Sequence, residues 1–192
     1  VTLLCAVALL GTGTPLQAQQ PIRIGASLSQ TGSFAALGQN QLRGYRLCLK
    51  HANEKGGVLG RKLELVVEDD QSQAPVAARI YEKLISQDKV DAILGPYSSP
   101  ITDAVAEVSE KHRMPMISPG AATTSIFKKG RRFVFMVLSP AEVYLEGLLD
   151  LAAKRGLKTV AVTHEDTLFP KATADGTVEL AKRKGLQVVL VQ

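Results

Sequence analysis

Two periods of hydrophobic spacing take turns along the chain. Short apolar runs fall at 22–28, 63–68, 92–94, 116–117, 133–137, 159–163 and 186–191, bounded by polar or turn-forming residues, and they read as strands. Between them apolar residues recur at helical spacing, which predicts helices over 41–55, 75–87, 99–111, 141–155 and 172–184. The first should bury Tyr45, Cys48, Leu49 and Ala52, the second Ala77, Ile80, Tyr81 and Leu84, and the third Ile101, Ala104, Val105 and Val108. Gly56 and Gly57 close the first helix.

Such alternation with short loops implies α/β architecture, with parallel strands covered on both faces by helices. The βα series restarts after Ser139 and Pro140, so a boundary between two lobes is expected there. Gln192 directly follows an apolar strand, which reads as a fragment cut within the second lobe.

The first 18 residues follow a different pattern. Residues 1–18 carry no charge, hold an apolar core at 3–10, and end in LQA after a Gly/Pro-rich exit. That fits a signal peptide clipped at its front and cleaved after Ala18, and it predicts export to the periplasm. The apolar run is too short to span a bilayer permanently. Cys5 lies inside this run, and Cys48, on a helix face, is expected to be a small core residue without a disulfide partner.

Composition narrows the classes. Hydrophobic residues make up 45% of the 192, enough for a globular core, while the absence of Trp argues against an aromatic-stacking nucleic-acid binder. The net charge of +5 is spread out, and its densest cluster, Lys128, Lys129, Arg131 and Arg132, reads as a solvated loop or a basic surface patch.

Candidate chemistry concentrates at 90–124, VDAILGPYSSPITDAVAEVSEKHRMPMISPGAATT. Two consecutive strands there end in loops of small residues, on the sheet edge where open parallel α/β folds bind ligands. In GPYSSP at 95–100, Pro100 suits the first helical position, which makes Ser99 the N-cap. Ser99 then either satisfies its own helix, or joins Ser98 and the helix N–H groups in holding an anionic group. The SPGAATT loop at 118–124 offers acceptors for an ammonium and hydroxyl donors for a carboxylate, or else forms a turn capping a short helix near Thr124. QTGSF at 30–34 is a cleft rim or a flexible loop.

Signals of catalysis are sparse. The chain lacks a G-x-S-x-G elbow, and GVLGRK at 57–62 has the wrong spacing and context for a phosphate loop. His164, Glu165 and Asp166 could suggest a metal, but adjacent ligands on an extended segment point apart. Glu68, Asp69 and Asp70 could bind a cation or form a turn with capping carboxylates. No catalytic residue, metal site or cofactor is expected.

Taken together, IRIGASLSQTGSFAALGQNQLRGYRLCLKHANEKGGVLGRKLELVVEDDQS, GPYSS and MPMISPGAATT resemble the periplasmic substrate-binding proteins of branched-chain amino acid ABC transporters, of the Leu/Ile/Val-binding type. The resemblance covers nearly all of the chain after residue 18. It implies the type I periplasmic-binding-protein fold, with two doubly wound parallel-sheet lobes hinged to close on a ligand: 19–139 the first, 140–192 part of the second. It also implies capture of a small amino acid or related carboxylate and delivery to an inner-membrane ABC permease, with no nucleic acid involved. A sensory receptor domain of the same architecture is the first alternative, and an α/β hydrolase the second.

Carried over by position, the resemblance sets Ser99 on the ligand carboxylate, with Tyr97 and Ser98 beside it. Gly120, Ala121 and Ala122 fall where the family binds ammonium and carboxylate. Ala122 stands where the family often has Thr, so Thr123 substitutes or a hydrogen bond is lost. Leu37 and Phe169 replace tyrosines of the leucine-type proteins, making the pocket more apolar. Some members join the Ser72 and Ser98 positions by a disulfide, which this chain cannot form. The family's acidic partner for a ligand ammonium lies later than this sequence reaches.

Overall fold

Strand β1 (Ile22–Leu28) separates two apolar layers. The structure, a computed structural model, describes residues 19–192; the signal-peptide reading and Cys5 lie outside them. Alternate side chains of a strand point to opposite faces. Ala26 and Leu28 accordingly pack with Leu42 and Tyr45 of α1 (Ala35–Glu54). Gly25, facing the other way, lies against Val90 and against Leu84 of α2 (Ala74–Ser86). On that second face Ala77, Ile80, Tyr81 and Leu84 of α2 meet Ile101, Val105, Ala106 and Val108 of α3 (Ser99–His112).

Four further strands complete this sheet: β2 (Leu63–Asp69), β3 (Ala92–Leu94), β4 (Met116–Ser118) and β5 (Val134–Met136). The order is β2-β1-β3-β4-β5, with every pair parallel. The chain leaves β1 toward β2, then returns past it and winds outward from β3. Connections after β1 and β3 therefore run in opposite senses, and a crevice opens between their carboxyl ends.

After the one-turn helix α4 (Ser125–Lys128) and β5, a 3-10 helix (Ala141–Val143) leads into α5 (Glu146–Lys154), β6 (Thr159–Val162), α6 (Leu168–Arg183) and β7 (Gln187–Val191). β6 and β7 pair in parallel. Leu149, Leu180, Ala181 and Leu186 form their core. None of the helices among the described residues is long and apolar enough to cross a membrane.

Several expectations change. Cys48 is exposed rather than buried, because the inward stripe of α1 is Gly38, Leu42, Tyr45 and Leu49, about a quarter turn away. Ala52 and Ala104 are half-buried. The helix expected over 141–155 is broken at Tyr144 and Leu145 into the 3-10 helix and α5. Both α1 and α6 begin earlier than the apolar spacing implied. In α6 the early start brings Phe169 and Pro170 into the first turn, where a missing proline N–H leaves no hydrogen bond unmade.

Candidate functional site

Loops from the carboxyl ends of β1, β3 and β4 meet the start of α6 around a cleft of about 530 Å³. The β3–α3 loop supplies Tyr97, Ser98 and Ser99. Here the structure corrects the sequence reading: Ser98, not Ser99, caps α3, accepting from the Ile101 N–H at 3.4 Å. Ser99 is the first helical residue and Pro100 the second, a position equally free of intrahelical donors. Ser98 holds φ +80° and ψ 146°, a conformation that costs about 1–3 kcal/mol outside glycine. Its N–H donates to the Gly120 carbonyl at 3.0 Å, which ties this loop to the next.

At Gly120 the β3 and β4 loops run close together. A methyl group there would lie 2.5 Å from the Pro96 carbonyl oxygen and 2.6 Å from Gln41 Oε1. Beyond it the residues separate by role. Ala122 lines the cleft, while Ala121 turns into the core. Thr123 does not line it; its hydroxyl donates to the Ser99 hydroxyl at 3.0 Å. Ser99 lines the cleft yet is only 2% exposed, a nearly dry position.

The backbone beneath these loops is held by tyrosines. Tyr45 and Gln41 both donate to the Gly95 carbonyl, at 2.7 and 3.0 Å, and Tyr81 donates to the Leu94 carbonyl at 2.5 Å. Burial pushes the phenols of Tyr45 and Tyr81 well above their ordinary value, so they stay protonated donors.

The loop after β1 adds Ser33 and Phe34. Phe34 meets Tyr97 edge to face across the β1/β3 crevice, ring centroids 5.7 Å apart. Two carboxylates at the end of β2 hold this loop. Asp69 accepts from the Gln30 and Thr31 N–H groups, the Thr31 hydroxyl and the Gln71 N–H. Asp70, fully buried, accepts from the hydroxyls of Ser27 and Ser29 and from the Ser72 N–H. Their lone pairs go to the loop, the turn alternative of the sequence reading. Ser72 itself accepts from the Phe34 N–H at 3.0 Å.

The opposite wall comes from beyond Ser139. Tyr144 and Phe169 pack edge to face at 5.6 Å, and Glu165, Thr167 and Pro170 line the cleft with them, as does Leu138 just before Ser139. Burial, followed by the neighbouring Tyr144, raises the Tyr97 phenol above its ordinary value. Leu37 does not line the cleft; it is 47% exposed on α1. His164 and Asp166 do not join Glu165 in a metal cluster: His164 contacts the Glu165 backbone carbonyl, and Asp166 pairs with Lys171 at 3.6 Å. Among the described residues no such cluster occurs, and no histidine lines the cleft to activate a serine.

Sequence reasoning thus reached Tyr97, Ser98, Ser99, Gly120, Ala122 and Phe169, all of which line one cleft. It missed Tyr144 and Leu138, and did not separate Glu165 from its neighbours. The break after Val143 carries no strong turn signal, so nothing in the spacing exposes Tyr144.

A family model described as "Periplasmic binding protein" matches residues 21–192. Leu/Ile/Val-binding protein homolog 7 of Brucella melitensis is 31% identical, over 98% of this chain and 49% of that protein. This chain spans about half the length of the curated relatives it matches. Among solved structures, the branched-chain amino acid transporter substrate binding protein LivJ of Streptococcus pneumoniae, in complex with isoleucine, superposes with a TM-score of 0.75 at 28% identity, covering 89% of this chain and 49% of that one. A solute binding protein of an ABC transporter from Rhodopseudomonas palustris, in complex with 3,4-dihydroxy benzoic acid, gives 0.79 at 23% identity, over 90% of this chain and 46% of that one. The second likeness concerns the fold alone.

Proposed function

This chain belongs to the periplasmic binding protein family, and from that premise we propose that it captures a small amino acid or related carboxylate outside the cytoplasm and hands it to an inner-membrane ABC permease. One observation carries the reading. The cleft is lined by strand-end loops of the five-stranded sheet on one side and by Tyr144 and Phe169, from beyond Ser139, on the other. A solute bound there touches both 19–139 and 140–192, the two lobes of this proposal. Closure follows when a solute binds the closed arrangement more tightly than the open one.

Ser99 is the residue we assign to the solute carboxylate. Its oxygen accepts from Thr123, which leaves its own proton for the solute. The start of α3 adds a partial positive charge at the same place. Tyr97, Ser98, Gly120 and Ala122 shape the surroundings, and Phe169 covers the solute from the second lobe. The leader at 1–18 provides the export this role requires.

The test is a thermal-shift screen of small metabolites against the full-length protein, since a ligand that prefers the native state raises its melting temperature. For the solute found, Ser99→Ala should weaken calorimetric binding by about 1–3 kcal/mol, the loss of a charge-assisted hydrogen bond. An unchanged affinity, or conversion of the solute to product, refutes the assignment.

A further inference from the structure

The chain has four tyrosines and five phenylalanines, and two of each line this one cleft. They form two edge-to-face pairs: Phe34 with Tyr97 on the side of the five-stranded sheet, and Tyr144 with Phe169 on the side of α6. Edge-to-face walls present both ring faces and ring edges, and a flat aromatic solute matches them better than a branched aliphatic chain does.

The polar groups of the same walls sharpen the class. The tyrosines outside the cleft, Tyr45 and Tyr81, spend their hydroxyls on strand-end carbonyls. No such partner holds the hydroxyls of Tyr97 and Tyr144 among the described residues, and the Glu165 carboxylate has neither an ion pair nor a side-chain hydrogen bond there. A purely aliphatic side chain closed against these groups would bury them without partners, which is costly. A carboxylate only accepts hydrogen bonds. Glu165 therefore favours a solute that brings a donor, and repels one that brings a second negative charge.

We propose that the solute is an aromatic monocarboxylate carrying a hydroxyl or amino donor on its ring, with Glu165 and the two phenols selecting that donor. This rests on the solute-binding reading above and narrows it.

Calorimetry on the full-length protein would use 4-hydroxybenzoate, 4-methylbenzoate, terephthalate and L-leucine. The expected order has 4-hydroxybenzoate at least tenfold tighter than each of the other three. Glu165→Gln should cut the preference for 4-hydroxybenzoate over terephthalate at least fivefold. Its unfolding midpoint should stay unchanged, because Glu165 is exposed and supports no other side chain. Phe169→Leu should weaken 4-hydroxybenzoate more than L-leucine. Tighter binding of L-leucine, or a Glu165→Gln preference equal to that of the parent, overturns the proposal while solute capture stands. Absence of binding by 4-hydroxybenzoate also overturns it. If a broad metabolite panel is silent as well, the solute-binding reading falls with it.

Discussion

The Thr123 hydroxyl donates to the Ser99 hydroxyl across 3.0 Å, and each residue is only 2% exposed. The two loops that end β3 and β4 are thus joined by side chains as well as by the Ser98–Gly120 backbone bond. Thr123→Val keeps the shape and removes the donor. We expect a loss of about 0.5–1.5 kcal/mol in unfolding free energy, the usual net worth of such a bond. Affinity for the solute should drop severalfold, because Ser99 can then rotate. The effects of Thr123→Val and Ser99→Ala on affinity should not add, since both act through one hydroxyl. Additive losses in a calorimetric double-mutant cycle would separate Thr123 from the site.

Gly120→Ala tests the close approach of the same loops. The added methyl would sit 2.5 Å from the Pro96 carbonyl oxygen, which is backbone and cannot swing aside as Gln41 can. Overpacking of this kind costs about 1–3 kcal/mol. Urea unfolding should show that loss, and binding should weaken at least tenfold as Ser98 and Ser99 are displaced. An alanine variant with parental affinity would mean the loops need not touch.

Most of the framework was legible in the sequence, and the reasons are local. The inward face of α2 came out residue for residue as Ala77, Ile80, Tyr81 and Leu84, because a helix buried along one stripe must repeat its apolar positions. The failures have equally local causes. Cys48 is apolar and close to the right spacing, yet the stripe of α1 runs from Gly38, upstream of the expected start at residue 41, through Leu42 and Tyr45 to Leu49. Pro100 suits the first helical position, which points to Ser99 as the cap, but the helix starts one residue earlier, with Pro100 second and Ser98 capping at a positive φ. The cleft itself depends on strand order, and the β2-β1-β3 arrangement that brings Phe34 to Tyr97 is a tertiary fact no spacing encodes.

Acid should loosen the β1 loop through Asp69. Burial works against its ionisation, but hydrogen bonds from the Thr31 hydroxyl and the N–H groups of Gln71, Gln30 and Thr31 outweigh that and hold the carboxyl below its ordinary value. A carboxyl depressed on folding stabilises fully above its unfolded value of about 3.9, and loses that contribution as pH falls through the lower folded value. Solute affinity, through Ser33 and Phe34, should therefore not vary with pH between 5 and 8 on this account, and should decline below about pH 4. Asp69→Asn should bind more weakly at neutral pH and show a smaller acid decline. An acid decline of parental size in Asp69→Asn would remove Asp69 as its cause.

The second wall of the cleft hangs on one contact far from the first. Gly176 of α6 lies against the 3-10 helix so closely that a methyl group would come within 2.0 Å of the Glu142 carbonyl oxygen. Tyr144 follows that 3-10 helix, and Phe169 belongs to the first turn of α6, so the contact sets the distance between the two rings. Glu142 is also anchored from the other direction, accepting the Thr124 hydroxyl at 2.5 Å, while the Ala141 N–H donates to the Ala122 carbonyl at 2.9 Å. The 3-10 helix thus cannot retreat without disturbing the β4 loop. Gly176→Ala must push α6 outward instead, carrying Phe169 away from Tyr144. We expect a stability loss of about 1–3 kcal/mol from the clash. Affinity for an aromatic solute should fall more than affinity for its aliphatic analogue, since it is the aromatic wall that opens. Gly44→Ala in α1, where an added methyl meets nothing, is the control: it should raise stability by about 0.5–1 kcal/mol and leave binding alone. If Gly176→Ala behaves like Gly44→Ala, the wall is not positioned by this contact and the two rings are set by the cleft itself.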